Sequence, residues 1–193
     1  SKEEYLGPVY GLLIALSFPL VYGLFELIVQ KQKNFMSIIG FVGILLSGVI
    51  GLLQFPPHWI AVKEASVPLV IGLVVLISTK TSWQLIKKFI YNREMLDIDQ
   101  IELTLNSETR KTRLDTVLKR ANVFLAASFF FSAVVNYFLA KVIVQSMPGT
   151  TQFNEEIGRM TLLSFPAIAL PSVLIMVVIL WYILSSIKSL TGL

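Results

Sequence analysis

The sequence predicts an all-α protein built as a polytopic bundle of transmembrane helices, and three observations lead to this fold class. Of the 193 residues, 55% are hydrophobic and only 15% are charged, whereas an ordinary soluble domain is about a quarter charged. Apolar runs close to the length of about 20 residues that crosses a membrane recur along the chain. Lysine and arginine cluster beside these runs, as in membrane proteins. We therefore expect a single transmembrane domain over residues 1–193.

Five apolar runs are expected to cross the membrane. They cover residues 5–29, 35–53, 60–83, 121–144 and 160–187. The third run has its apolar core at residues 67–78, which is too short to span alone, so its helix is expected to extend back through Ile60 and forward toward Trp83. Pro166 and Pro171 lie inside the fifth run. Because a proline inside a helix removes a backbone hydrogen bond, we expect a kink there.

The connections between these spans differ in character. Phe55-Pro56-Pro57 predicts the end of the second span, and Met147-Pro148-Gly149-Thr150 predicts a turn before the fifth. Residues 79–120 form the one sizeable polar segment, and apolar residues recur there at spacings of three and four. This periodicity predicts one or two amphipathic helices at the membrane surface.

The distribution of positive charge predicts the orientation of the chain. One side of the membrane holds twelve of the 16 lysine and arginine residues. These are Lys31, Lys33, Lys80, Lys87, Lys88, Arg93, Arg110, Lys111, Arg113, Lys119, Arg120 and Lys188. The other side holds Lys2, Lys63, Lys141 and Arg159. The positive-inside rule therefore predicts that residues 79–120 and the C-terminus are cytoplasmic and that residue 1 lies outside.

Charged clusters on the opposite side from the basic segment are the first candidate polar site. They are Lys2-Glu3-Glu4, Lys63-Glu64, and Glu155-Glu156 with Arg159, and each is followed by a proline. One interpretation is a threefold repeat of hairpins; chance similarity is the other. Hairpins packed around an axis would bring the clusters together at the outer mouth of the bundle. In the alternative interpretation they are ordinary boundary charges in contact with water.

Two further patterns carry candidate functions. Ser128, Ser132 and Asn136 recur every four residues in the fourth span, which indicates either a polar substrate path or a face used for helix packing. The basic run at residues 110–120 is expected to contact anionic lipid headgroups, an attraction of about 1 kcal/mol per charge. Without interleaved aromatic residues it does not predict nucleic-acid binding.

The scarcity of reactive side chains argues against an enzyme. The chain has no cysteine, and His58 is its one histidine. This excludes thiol nucleophiles, cysteine-ligated metals and sites with two histidines. We therefore expect a non-enzymatic protein without a metal or cofactor.

Several segments resemble a known group of membrane proteins. They are LGPVYG at residues 6–11, HWIAVKE at 58–64, Asn136-Tyr137, and FNEEIGRM at 153–160. Together they resemble the intracellular septation protein A family and its uncharacterised bacterial relatives. The resemblance implies a bacterial inner-membrane protein with a sixth hydrophobic helix ahead of Ser1. The segment at residues 79–120 is longer than the corresponding connection in that family.

Two functions are therefore expected from the sequence. The first is a role in cell-envelope assembly or division through membrane partners, which are either an envelope protein or further copies of this chain. The alternative is a small transporter or lipid-handling protein with a polar site near the outer face.

Overall fold

The computed structural model describes residues 52–81 and 107–192 without a break, together with residue 86 and scattered positions between residues 10 and 50. Every regular element in the described part is helical. The elements are α1 (His58–Ser78), α2 (Glu108–Ile143), α3 (Thr151–Ser164), a π-helical turn (Phe165–Ala169) and α4 (Leu170–Thr191). The predicted all-α class is confirmed for this part of the chain.

Three helical stretches in the described residues are long and apolar enough to cross a membrane: His58–Ser78, Glu108–Ile143 and Thr151–Thr191. The 21 residues of α1 extend about 31 Å, which matches a hydrocarbon core of about 30 Å. Only 11% to 33% of the most apolar window of each stretch is buried within the protein. Such exposed apolar surface requires a lipid environment, which indicates a membrane protein.

These three stretches correspond to the third, fourth and fifth predicted spans. The first two predicted spans fall mostly outside the described residues. Within them, the described positions between residues 10 and 25 and between residues 42 and 52 are all helical. The total of five spans remains a prediction.

The helix that contains the fourth span begins at Glu108 rather than at residue 121. The last part of the predicted surface segment is therefore an extension of this transmembrane helix. Ion pairs between Lys111 and Glu108 and between Lys119 and Asp115 join successive turns of the extension. Leu114 and Leu118 are buried, so the apolar face of the span continues into the extension.

The predicted end of the second span and the predicted turn before the fifth are both confirmed, and each has an identifiable cap. Gln54 takes a left-handed conformation with φ of 51°, and the N–H of Phe55 donates to the Ile50 carbonyl at 3.1 Å. This is the hydrogen bond of a Schellman C-cap, with glutamine in the usual glycine position. Ahead of α3, Gly149 has φ of 88°. The Thr150 hydroxyl then caps α3 by accepting from the Phe153 N–H at 3.1 Å.

The prolines of the fifth span coincide with a change of helix type. Pro166 lies within the π-helical turn and Pro171 in the first turn of α4. Neither proline has an N–H to offer the carbonyl four residues earlier, and its ring crowds that carbonyl. A wider π turn relieves this crowding, and such turns are a recognised cause of helix distortion.

The chain divides into two compact units. The first unit comprises Ser1–Val67 and Ala133–Ala167, and the second comprises Pro68–Ser132 and Ile168–Leu193. A buried cluster of seven side chains forms the core of the first unit: Ile50, Ile60, Ala61, Ala140, Val144, Phe153 and Met160. In the second unit α2 buries Leu114, Leu118, Ala121 and Leu125, and α4 buries Ile179, Ile183 and Ile187. Both sets recur every three or four residues, as expected for helices packed along one face.

Candidate functional site

The first predicted charged cluster in the described residues, at the start of α1, is an internal ion pair. The Lys63 ammonium contacts the Glu64 carboxylate, and the two side chains keep 15% and 26% of their surface exposed. The Ser66 hydroxyl donates to the Lys63 carbonyl at 2.7 Å. Because charges near a membrane are costly unless paired, the contact stabilises both groups.

Glu156 in the second cluster anchors the loop that precedes α3. One carboxylate oxygen accepts from the N–H groups of Gln145 and Ser146 at 2.9 and 2.8 Å. The other oxygen accepts from the Ser146 hydroxyl at 2.7 Å. Gln145 and Ser146 follow the end of α2 at Ile143, so this carboxylate links the start of the loop to α3.

These hydrogen bonds also determine the ionisation of Glu156, which lies ahead of the apolar run that begins at Met160. Burial by itself would raise the pKa of the Glu156 carboxyl. The hydrogen bonds from Ser146, Gln145 and Gln152 outweigh burial and lower the pKa below its ordinary value of 4.5. Glu156 is therefore a carboxylate at neutral pH.

The two described clusters make separate contacts. Glu155 and Arg159 are exposed. Among the described residues, no hydrogen bond or ion pair joins Lys63 or Glu64 to the cluster of Glu155, Glu156 and Arg159. The third predicted cluster, at residues 2–4, lies outside the described residues. A shared outer site formed by all three clusters remains a prediction.

The predicted polar stripe of the fourth span is divided between the two units. In the second unit the Ser128 hydroxyl donates to the Leu125 carbonyl. Ser132 donates to the Ser128 carbonyl and lies 3.3 Å from the Ser172 hydroxyl of α4. Asn136 belongs to the first unit and is half-buried. The contact between Ser132 and Ser172 is the interhelical hydroxyl contact expected of a packing face.

Asn122, which the sequence did not single out, has the most hydrogen-bonding contacts of any side chain in the described part of the second unit. Asn122 is fully buried. Its Nδ2 lies 2.7 Å from the Val75 carbonyl, 3.0 Å from the Ser78 hydroxyl and 2.7 Å from the Thr79 hydroxyl. Its Oδ1 accepts from the Ile86 N–H at 3.3 Å. An asparagine at the edge of an apolar run is the sequence signal that identifies such a residue.

These contacts add to the hydrogen bonding at the end of α1. The last four carbonyls of a helix have no partner within it. The carbonyls of Leu76, Ile77 and Ser78 each accept from the backbone N–H three residues further along the chain, at residues 79, 80 and 81. The Val75 carbonyl accepts from Asn122 and also from the Ser78 and Thr79 hydroxyls. Asn122 thereby joins α1 to α2 and has a structural role.

A groove lies between α2 and α4 in the second unit; we call it the polar groove after the charged and hydroxyl residues in its lining, although most of its lining surface is apolar. It has a volume of about 590 Å³. Arg113 and Arg120 contribute its positive charge, and five serine and threonine residues also line it. The hydroxyl residues are Thr112, Thr116, Ser185, Ser186 and Ser189. Val117, Trp181, Tyr182 and Leu190 complete its lining.

A second groove, of about 600 Å³, is almost entirely apolar. Phe124, Phe131, Leu174 and Val178 are among its lining residues, and Ser128 is its one hydroxyl residue apart from Tyr182. Trp181 and Tyr182 line both grooves. The Tyr182 ring also packs edge-on against Phe124, with ring centroids 6.4 Å apart. The two grooves therefore adjoin at these aromatic residues.

Comparison with known proteins assigns no family, because no family model, curated protein or solved structure matches the chain. The relation to septation protein A proteins therefore remains a prediction from the residues that suggest it.

Proposed function

We propose that this chain is a non-enzymatic membrane protein that holds a membrane lipid in the two adjoining grooves of its second unit. The observation that carries the proposal is their shared boundary, since Trp181 and Tyr182 line both the polar and the apolar groove. Of the functions expected from the sequence, this arrangement favours lipid handling, with the lipid site on the predicted cytoplasmic side instead of near the outer face.

The chemistry of the grooves matches the two parts of a phospholipid. The apolar groove suits an acyl chain, and the polar groove suits a headgroup. Tryptophan and tyrosine favour the depth at which headgroups meet acyl chains. Both volumes, about 590 and 600 Å³, fall within the range of about 300–1,000 Å³ typical of small-molecule sites. Under the predicted topology this lipid belongs to the cytoplasmic leaflet.

Two neighbouring valines of α4 provide a test of the apolar groove. Val178 is 62% exposed and lines the groove, whereas Val177 is 56% exposed and does not. Val178→Trp is expected to reduce the lipid retained by the detergent-purified protein about tenfold. Extra bulk in occupied space costs about 1–3 kcal/mol, and a tenfold change corresponds to about 1.4 kcal/mol. Native mass spectrometry measures the fraction of protein with bound lipid.

Val177→Trp is the matched control and is expected to retain lipid as the unmodified chain does. Equal retention in both variants, or no retained lipid in the unmodified chain, would rule out the proposed function.

We also propose that this lipid-holding protein belongs to the bacterial inner membrane and acts in envelope assembly or division. The support is the septation protein A resemblance of residues 6–11, 58–64 and 153–160. Crosslinking in native membranes, followed by purification, is expected to recover an envelope protein together with this chain. Recovery of self-crosslinked copies alone would contradict the proposed envelope partner.

A further inference from the structure

We infer that the lipid is an anionic phospholipid whose phosphate is bound by Arg113 and Arg120. This inference rests on the proposed function and assigns the chemical class of the headgroup. The two arginines lie seven residues apart on α2, which is about two helical turns. Their side chains therefore project from the same face of the helix, and both line the polar groove.

The ion pairs of α2 distinguish these two arginines from the neighbouring lysines. Lys111 pairs with Glu108 at 3.2 Å, and Lys119 pairs with Asp115 at 2.7 Å. No carboxylate among the described residues pairs with Arg113 or Arg120. The cations that line the groove thus remain available to an anion, whereas these two lysines already have local partners. A guanidinium group also matches phosphate geometry with two parallel donors.

The hydroxyl groups of the groove offer further donors. Thr112, Thr116 and Ser186 donate to carbonyls of their own helices. Ser185 and Ser189 make no such bond among the described residues, and they lie one turn apart on α4. Their hydroxyls can donate to phosphate oxygens or to a glycerol headgroup.

The lining also disfavours a zwitterionic headgroup. Choline and ethanolamine headgroups carry a positive charge that an anion stabilises more strongly than an exposed aromatic face such as that of Trp181. Neither aspartate nor glutamate lines the described part of the groove. The two arginines would also repel that positive charge. Charge complementarity therefore favours an anionic phospholipid such as phosphatidylglycerol over phosphatidylcholine.

The test compares lipid binding by the full chain in detergent, measured by native mass spectrometry during titration with either phospholipid. The unmodified chain is expected to bind phosphatidylglycerol about 30-fold more tightly than phosphatidylcholine, given the attraction of two cations near a headgroup. The double variant Arg113→Gln/Arg120→Gln is expected to lose this preference and to keep its binding of phosphatidylcholine. Retained phosphatidylcholine binding also shows that the variant is folded.

The double variant Lys111→Gln/Lys119→Gln is the matched control, since it removes two positive charges from the same helix outside the groove. It is expected to keep the preference for phosphatidylglycerol. If both double variants lose the preference for phosphatidylglycerol equally, the preference comes from general surface charge, and the inference is wrong. Millimolar inorganic phosphate is expected to leave the bound lipid in place; displacement by phosphate alone would assign the site to free phosphate instead.

The Val178→Trp variant separates the two proposals. If it lowers the binding of both lipids while the unmodified chain shows no preference between them, the headgroup assignment is wrong and the proposed function stands. If it changes the binding of neither lipid, the proposed function fails, and the inference fails with it.

Discussion

Asn122→Leu is expected to lower the free energy of unfolding by about 2 kcal/mol. An interhelical hydrogen bond in a membrane protein contributes about 0.6 kcal/mol. The two N–H groups of Asn122 Nδ2 have three acceptors within reach, on Val75, Ser78 and Thr79. With the bond from the Ile86 N–H to Oδ1, three hydrogen bonds can form at once. Leucine fills a similar volume but can neither donate to the Val75 carbonyl nor accept from the Ile86 N–H. Denaturant unfolding in detergent micelles, followed by tryptophan fluorescence, measures the change.

Single changes at the partners of Asn122 provide graded controls. Ser78→Ala and Thr79→Val each remove one contact of Nδ2 and are expected to cost well under half as much. Hydrogen exchange adds a local measurement, because the loss of Asn122 should increase exchange at the end of α1 more than at its start. Unchanged stability in Asn122→Leu would show that the contacts of this residue are replaceable.

Hydrophobicity was enough to predict the three apolar spans that the structure describes, but not the continuation of their helices ahead of the fourth and fifth spans, at residues 108–120 and 151–159. The third, fourth and fifth predicted spans each correspond to an observed helix. Their ends were harder to predict, because helix ends depend on contacts distant in sequence. α1 ends at Ser78 rather than near Trp83, with Asn122 bonding the Val75 carbonyl from 47 residues away.

The sequence was also insufficient to predict which residues of the candidate sites act together. The basic run at residues 110–120 was expected to contact lipid headgroups, but its composition cannot distinguish one cation from another. Arg113 and Arg120 line a groove, whereas Lys111 and Lys119 form ion pairs. The spacing along α2 shows which residues share a face, but the groove also depends on α4. That pairing of helices is a tertiary feature that periodicity alone does not specify.

Glu156→Gln is expected to lower the free energy of unfolding by about 1–2 kcal/mol at neutral pH. Hydrogen bonds to charged groups contribute about 1.5–3 kcal/mol, and the partial exposure of Glu156 reduces this contribution. Glutamine has one acceptor oxygen where the carboxylate uses two, and its amide group would face a donor from the loop. Glu155→Gln is the matched control, since the Glu155 side chain makes no hydrogen bond or ion pair among the described residues.

The pH dependence of this difference in the free energy of unfolding shows whether the charge of the Glu156 carboxylate or the packing of its side chain is responsible. Folding lowers the pKa of Glu156 below 4.5, so the folded state favours the charged form. The stabilisation is therefore fully present above the ordinary pKa and is lost as the pH falls through the lower pKa of the folded state. The difference in the free energy of unfolding between the unmodified chain and Glu156→Gln should narrow below pH 4.5. Denaturant unfolding at a series of pH values measures it. If this free-energy difference stays constant with pH, side-chain shape rather than charge holds the loop at residues 144–150 to α3.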